Sequence, residues 1–252
     1  MLSKSIKINN FIVPVALFFL LSGCTTIYNP ATQKKETLLI NTENEIALGR
    51  DLDSQMQRKL TILKEPSMQN RLNYIGRRVG AVSDRLDVAY YFRIVKDKEF
   101  NAFAIPGGFV YVNSGLMYSA TDEELACVLA HEIGHIAARH SVKKLQASLG
   151  YQLILSIALG LSGKQEIERA ADIVFNLGSL GYSRQDELFA DKLAVRYAKR
   201  AGFNPYAMVT FFEKLKKEAE EKGPNLRIEF LSSHPDIEER IKKVKQEIAL
   251  SP

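Results

Sequence analysis

His131, Glu132 and His135 form the pattern HExxH. Residues 121–124 precede it with a threonine and three acidic side chains, a capping box that predicts a helix running to about His140. Because residues four apart lie on one face of a helix, the two imidazoles can bind one metal ion. Glu132 lies beside them and can activate a water molecule as general base. The pattern therefore predicts metal-assisted hydrolysis.

Two neighbouring side chains could in principle complete the site, and the spacing argues against both. Cys127 precedes His131 by one turn, about 6 Å along the helix axis, so we expect it to pack as a small apolar residue. His140, nine positions after His131, faces away on a continuous helix, and we expect a structural role. The metzincin pattern is excluded, because Ala138 and Ser141 stand where it needs glycine and histidine.

The third ligand must come from another segment, and residues 183–191 offer candidates. Ser183 predicts the start of a helix that ends near Gly202. Glu187 and Asp191 are four apart on one face of that helix. One carboxylate can bind the metal while the other accepts the outer N–H of a ligand histidine. A solvated acidic face is the alternative.

His234 stands before Pro235, just ahead of a predicted last helix. Together with Arg240, about one turn further on, it could stabilise a developing oxyanion. Alternatively, His234 could occupy the open coordination position of the metal and hold an enzyme latent. A plain surface turn is the third interpretation.

Asn101, Ala102, Phe103 and Ala104 belong to a short apolar run that the Pro-Gly-Gly of residues 106–108 joins to a second one. Two such runs around this turn predict a β-hairpin. An extended peptide can add to the edge of a hairpin as a further strand, so we expect these four residues to bind substrate. A hairpin that serves only the core is the compatible alternative.

The remaining segments predict an α+β fold with many helices and few strands. A capping box at Thr42 begins the first helix. The apolar run 150–161 is shorter than the roughly 20 residues that cross a bilayer, so we expect a buried helix or a lid there. Further helices are expected at about 67–82, 205–223 and 236–250, and a strand at 88–95.

The N-terminus reads as a targeting signal. Residues 1–23 contain two lysines and then an apolar run, the layout of a secretory signal peptide. Residues 21–24 (LSGC) resemble the bacterial lipobox, which implies cleavage before Cys24 and lipidation of that cysteine. By resemblance to enterobacterial sorting signals, Thr25 in place of aspartate implies the outer membrane. The alternative is an uncleaved N-terminal anchor with Cys24 unmodified. Residues 24–41 are expected to be a tether, and 42–252 the folded domain.

Composition excludes several classes. The chain is 46% hydrophobic and 25% charged, which are globular values. Its net charge of +5 is not gathered into a basic stripe, so nucleic acid is not an expected partner. Two cysteines do not make a disulfide framework.

In combination and order, these motifs over about residues 42–250 resemble the HtpX and CAAX-prenyl-protease family of zinc metallopeptidases, which are gluzincins. The resemblance implies a mainly helical, zincin-like domain with a small sheet beside the active-site helix. It assigns the binding of one Zn²⁺ to His131, His135 and Glu187. It also implies Glu132 as the base and Asp191 as a supporting carboxylate. His234 and Arg240 match C-terminal positions of the family.

The chain lacks the four membrane-spanning segments of HtpX and is instead similar to a branch of bacterial envelope lipoproteins. Some members carry helical repeats after the protease domain; this sequence ends at Pro252 without them, so no repeat-mediated binding is expected. We expect an endopeptidase that faces the periplasm, anchored through Cys24, and acts on misfolded or unassembled envelope polypeptides. The envelope assembly machinery is a further candidate partner.

Two other hypotheses remain open. The zinc fold could serve as a chaperone or assembly factor without proteolysis. Alternatively, the metal could stabilise the core of a structural lipoprotein, with four protein ligands and no open position.

Overall fold

The computed structural model describes residues 25–222, 230, 233–234 and 236–250. Helices dominate, and short strands form two small sheets, which confirms the predicted mainly helical α+β fold. The predicted signal peptide and Cys24 lie outside the described residues. Within the described ranges, every helix falls short of the length and apolar character that crossing a membrane requires.

Most helices lie close to the predicted positions, but α3, α5 and α7 were not predicted. They are α1 (Thr42–Lys59), α2 (Pro66–Gly80), α3 (Ser114–Ser119), α4 (Asp122–Ala137), α5 (His140–Ser148), α6 (Tyr151–Ala158), α7 (Lys164–Leu180), α8 (Arg184–Arg200), α9 (Ala207–Lys222) and α10 (Ile237–Leu250).

The strands form one hairpin and one three-stranded sheet. The hairpin pairs β1 (Thr25–Asn29) with β2 (Lys34–Leu38) in antiparallel fashion. The sheet contains β3 (Tyr91–Val95), β4 (Ala102–Ile105) and β5 (Phe109–Asn113) in the order β3-β5-β4. β3 runs parallel to β5, and β4 and β5 form the predicted antiparallel hairpin around the Pro-Gly-Gly turn.

The three-stranded sheet is covered on both faces, so β5 is buried along its whole length. Alternate side chains of a strand point to opposite faces. Val110 and Val112 face a core that includes residues of α2, α4 and α8. Phe109 and Tyr111 face a second core that includes residues of α1, α5, α6 and α7. The sheet therefore separates the two cores and supports α4 from one side.

α4 is the central helix, since α2, α8, α9 and β4 all pack against it. Its predicted capping box is present: Thr121 Oγ1 accepts from Glu124 N at 3.2 Å, and the Glu124 carboxylate accepts from Thr121 N at 2.9 Å. The helix ends at Ala137 rather than near His140, because Arg139 adopts a left-handed conformation with φ 57°. The chain turns there and enters α5.

Residues 25–38 form a hairpin where an unpatterned tether was expected, which corrects that expectation. Asn29 fixes the turn, since its Oδ1 accepts from Ala31 N at 2.9 Å. Lys143 of α5 donates to Glu36 of β2 at 2.7 Å and joins the hairpin to the helices. Single polar contacts of this kind leave no periodic signal in a sequence.

The start of α1 differs in detail from the prediction. Asn41, not Thr42, is the cap, and its Oδ1 accepts from Asn44 N at 2.8 Å. Glu45, which was expected to close a capping box, is buried and pairs with Arg85 at 3.1 Å. A buried guanidinium that needs a counter-charge therefore overrides the local capping pattern.

The apolar run 150–161 is in part the buried helix that was expected. Ile154 and Ile157 of α6 lie in the second core. Leu159 and Leu161, beyond the end of α6, are 59% and 73% exposed.

Gly49 tests the packing of α1 against the turn between β4 and β5. A Cβ there would overlap the carbonyl oxygen of Pro106 and lie 2.8 Å from Gly107 Cα. In a free helix, Gly→Ala stabilises by about 1 kcal/mol. We expect Gly49→Ala instead to lower the free energy of unfolding by about 2 kcal/mol, because overpacking forces the backbone apart. Urea denaturation followed by circular dichroism measures the difference.

Gly150→Ala is the matched control, because a Cβ at that glycine meets nothing within 4 Å. It should change the free energy of unfolding by less than about 0.5 kcal/mol. Equal stabilities of the two variants would contradict the close packing at Gly49.

Candidate metal centre

The C-terminal half of α4 presents its two histidines to one point. His131 Nε2 and His135 Nε2 lie 3.0 Å apart, and both side chains are at most 1% exposed. Gly134 between them allows α8 to approach closely: a Cβ there would lie 3.1 Å from the carbonyl oxygen of Ala190. This close crossing brings the acidic side chains of α8 within reach of the imidazoles.

Glu187 supplies the carboxylate. The capping box of α8 places it, because Ser183 Oγ accepts from Asp186 N at 3.2 Å and so fixes the first turn of the helix. Glu187 Oε2 lies 3.4 Å from His131 Nε2, and Oε1 lies 3.4 Å from His135 Nε2. The structure thus brings together the three side chains that the resemblance implied as metal ligands.

His234 is the fourth member of the cluster. Its Nδ1 lies 2.9 Å from Glu187 Oε2 and 3.4 Å from His131 Nε2. At 2% exposure, it does not lie in a surface turn, so that interpretation is wrong. One ligand atom from each of the four residues lies within 4.8 Å of the others.

The donor set fits one zinc ion. Zinc prefers imidazole nitrogen and carboxylate oxygen at about 2.0–2.2 Å, and a tetrahedron of that size has edges of roughly 3.4 Å. His131 Nε2 lies 3.0 Å from His135 Nε2, 3.4 Å from Glu187 Oε2 and 3.4 Å from His234 Nδ1, while the four ligand atoms together lie within 4.8 Å of one another. Glu187 Oε1 is buried and lacks a hydrogen-bond partner among the described residues, which suits an atom that binds a cation.

Glu132 lies beside the cluster with its carboxylate unengaged. Neither oxygen has a hydrogen-bond partner within the described part of the chain, although the side chain is fully buried. Its Oε1 lies 3.7 Å from His234 Nε2. Burial raises the pKa of this carboxyl group, against the opposing effect of nearby His234 and His131. A buried carboxylate with a raised pKa is suited to exchanging a proton during a reaction.

Asp191 and Arg240 support the site from behind His131. Asp191 Oδ1 lies 2.8 Å from His131 Nδ1, and the guanidinium of Arg240 donates to both Asp191 oxygens at 2.7 Å. Burial raises the pKa of Asp191, but the charge and hydrogen bonds of Arg240 outweigh burial and lower it. Arg240 also donates to the carbonyl oxygen of His234 at 3.2 Å and lies 3.2 Å from Glu187 Oε2. The Arg240 guanidinium is therefore held by contacts with Asp191, His234 and Glu187.

His135 is enclosed by two side chains that sequence reasoning did not place here. His140 Nδ1 lies 2.9 Å from His135 Nδ1, and the Tyr182 ring stacks on His135 with a centroid distance of 4.0 Å. The expectation that His140 faces away is wrong, because the turn at Arg139 ends the helix on which that argument depended. An aromatic residue directly before the cap of a ligand-bearing helix was the available signal for Tyr182.

The other candidate residues lie as follows. Cys127 is buried in the core, with Sγ 3.6 Å from the carbonyl oxygen of Asn204, and burial raises its pKa to about 12. Asn101 precedes β4 and is buried, and Phe103 stacks on Tyr111 with a centroid distance of 5.0 Å. Cys24 lies outside the described residues.

An HExxH helix, a carboxylate from a second helix and a buried glutamate beside them are the arrangement expected of a metallopeptidase site. The chain belongs to peptidase family M48, whose family model matches residues 66–248. That family uses zinc, so the prediction of a zinc metallopeptidase is confirmed at the level of the family, and the cluster of His131, His135, Glu187 and His234 could hold the ion.

Several relatives are similar over most of this chain. The Beta-barrel assembly-enhancing protease of Escherichia coli is 29% identical over 86% of this chain and 46% of its own length. The Mitochondrial metalloendopeptidase OMA1 of Schizosaccharomyces pombe is 29% identical over 87% of this chain and 65% of its own length. Metalloprotease LoiP of Escherichia coli is 25% identical over 96% of this chain and 98% of its own length. The chain thus spans less than half of the first relative and almost all of the third.

Proposed function

We propose that this protein is a membrane-anchored zinc endopeptidase that cleaves misfolded or unassembled proteins of the bacterial envelope. The convergence of His131, His135 and Glu187 beside the unengaged carboxylate of Glu132 is the observation that carries the proposal. The names of the bacterial relatives, which include a beta-barrel assembly-enhancing protease, support the envelope as its place of action.

In the proposed hydrolysis of a peptide bond, different residues of the chain have different roles. When bound, zinc supplies a Lewis acid that polarises the scissile carbonyl and lowers the pKa of a water molecule. The Glu132 carboxylate accepts the proton of the attacking water and delivers it to the leaving amine. Asp191 accepts the Nδ1 proton of His131 and fixes that ring, and Arg240 fixes Asp191. Arg240 is therefore a positioning residue in this mechanism.

β4 is the proposed binding strand for substrate. In an antiparallel pair, main-chain groups point alternately toward the partner strand and away from it. Asn101 O accepts from Asn113 N at 2.9 Å, so the main-chain groups of Ala102 and Ala104 point away from β5. Within the described residues, no strand pairs with that edge. An extended peptide can bind there by main-chain hydrogen bonds and pass the metal centre.

Glu132→Gln tests the enzymatic proposal. The amide keeps the shape of the side chain but cannot accept the proton, so hydrolysis of unfolded casein should fall by at least about 100-fold. The zinc content should equal that of the wild type, because Glu132 is not among the clustered ligand atoms. Peptide release is measured with and without a chelator.

The chaperone alternative makes the opposite prediction for the same variant. If Glu132→Gln restores an envelope defect of a deletion strain as well as the wild-type gene does, proteolysis is not the function. Failure to restore it, with normal protein levels, supports the protease.

We further propose that His234 is a latch rather than an oxyanion stabiliser. Its Nδ1 lies among the ligand atoms, where a water or substrate oxygen must enter. Phe230 N donates to the carbonyl oxygen of Phe100 at 3.2 Å, beside the proposed substrate strand. The segment around His234 therefore meets both the metal position and the start of that strand.

His234→Ala distinguishes these two roles. Removing a latch should raise the hydrolysis rate of a short unstructured peptide, by about tenfold if the site is open a tenth of the time. Loss of an oxyanion stabiliser would instead lower kcat by roughly 100-fold or more. Zinc content is measured in parallel, because a fall in activity with loss of zinc would show that His234 is needed as a ligand.

Anchoring through Cys24 is proposed from residues 21–24, which resemble a lipobox. Lipidation with several acyl chains gives stable membrane binding, whereas a single chain does not. Cys24→Ser should abolish incorporation of labelled palmitate and, because the lipobox cysteine is lost, leave the signal peptide uncleaved. Incorporation of palmitate by Cys24→Ser at the wild-type level would contradict lipidation of Cys24.

A further inference from the structure

The outer nitrogen of His135 carries the ring proton when the inner nitrogen binds zinc. His135 Nε2 is the atom that faces His131 and Glu187. A neutral imidazole has one N–H and one lone pair, so the Nδ1 of a ligand bound through Nε2 must be the donor. That donor lies 2.9 Å from His140 Nδ1.

His140 Nδ1 is placed to accept this hydrogen bond, and this determines which nitrogen of His140 carries the ring proton. Because its Nδ1 accepts, its own proton lies on Nε2, which is 3.3 Å from Asp186 Oδ1. The second oxygen of Asp186 accepts from the hydroxyl of Ser183 at 2.6 Å. The hydrogen-bonded series His135–His140–Asp186 therefore begins at one proposed zinc ligand. It ends at Asp186, which directly precedes Glu187, another proposed ligand.

The fold holds His140 in this position from two directions. The left-handed residue Arg139 turns the chain so that His140, in the first turn of α5, comes back toward His135. The Arg139 guanidinium is held by α1, since it donates to Thr42 Oγ1 at 2.5 Å and lies 3.4 Å from Glu45 Oε2. His140 is only 5% exposed, so water does not compete freely for the hydrogen bond.

We propose that His140 is a positioning residue that fixes the tautomer and ring orientation of His135, with Asp186 completing the chain. It does for His135 what Asp191 does for His131. The inference rests on the zinc site of the proposed function and adds a partner for the second histidine ligand. Partners of this kind typically change metal affinity by 10- to 100-fold when removed.

The test compares three substitutions of His140 by zinc binding, measured in competition with a chromophoric chelator. His140→Phe keeps a planar ring but removes the acceptor, so the zinc dissociation constant should rise by about 10- to 100-fold. His140→Asn places an oxygen near the position of Nδ1 and should stay within about threefold of the wild type. His140→Gln places its oxygen one bond further out, near the position of Nε2, and should resemble His140→Phe.

Asp186→Ala and Ser183→Ala form a second matched pair. Both remove the capping contact of α8, but only Asp186→Ala removes the carboxylate that faces His140. Zinc binding should therefore be weaker in Asp186→Ala than in Ser183→Ala, by about threefold or more. Thermal unfolding of the zinc-free proteins identifies any variant that fails to fold.

The outcomes separate the two proposals. If wild-type protein does not bind zinc, the proposed function fails and this inference fails with it. If the wild type binds zinc and His140→Phe binds it equally well, only the role of His140 is overturned. Equal weakening in His140→Asn and His140→Gln would also overturn it, because a purely structural role does not depend on where the acceptor atom lies.

Discussion

The electrostatic balance of the buried cluster is the constraint on which the rest of this structure depends. Glu132, Glu187 and Asp191 are each at most 1% exposed, and Arg240 is the buried guanidinium that contacts two of them. With neutral imidazoles, these three carboxylates and one guanidinium leave an excess of two negative charges. Buried charge without compensation is strongly unfavourable. A divalent cation bound at these atoms would offset the excess.

Local features of the sequence position α4 and α8, the two helices that carry most of the clustered side chains. Both α4 and α8 begin with capping boxes, which fix the helical register in which the ligands point inward. Gly134 has no side chain, so α4 and α8 can approach closely where they cross. The sheet supports α4 from one side, and Arg240 reaches in from α10. Local sequence signals thus position each ligand within its helix, and tertiary packing brings the helices together.

The difference between local sequence signals and tertiary packing explains which features could be predicted from the sequence. The helix carrying His131 and His135, the cap at Ser183 and the hairpin around Pro-Gly-Gly depend on short-range patterns, and the structure has each of them. The contact of His140 with His135 could not be predicted, because it depends on a left-handed residue that ends a helix whose periodicity continues. The hairpin of residues 25–38 depends on isolated polar contacts, and helix α7 was missed for lack of a recognised start.

His234 and the edge of β4 are best understood as one feature. Phe230 N donates to the carbonyl oxygen of Phe100, the outward-facing acceptor directly before the proposed substrate strand, while His234 Nδ1 lies beside Glu187 and His131. In the proposed function, a peptide that extends along β4 would compete with Phe230 for that acceptor, and its scissile carbonyl would compete with His234 for the metal. His234 N donates to the carbonyl oxygen of Phe230 at 2.8 Å, which joins the two contacts. If the proposed latch operates, opening of the metal site and binding of substrate would be coupled, and a bound peptide would stabilise the open state by its differential affinity.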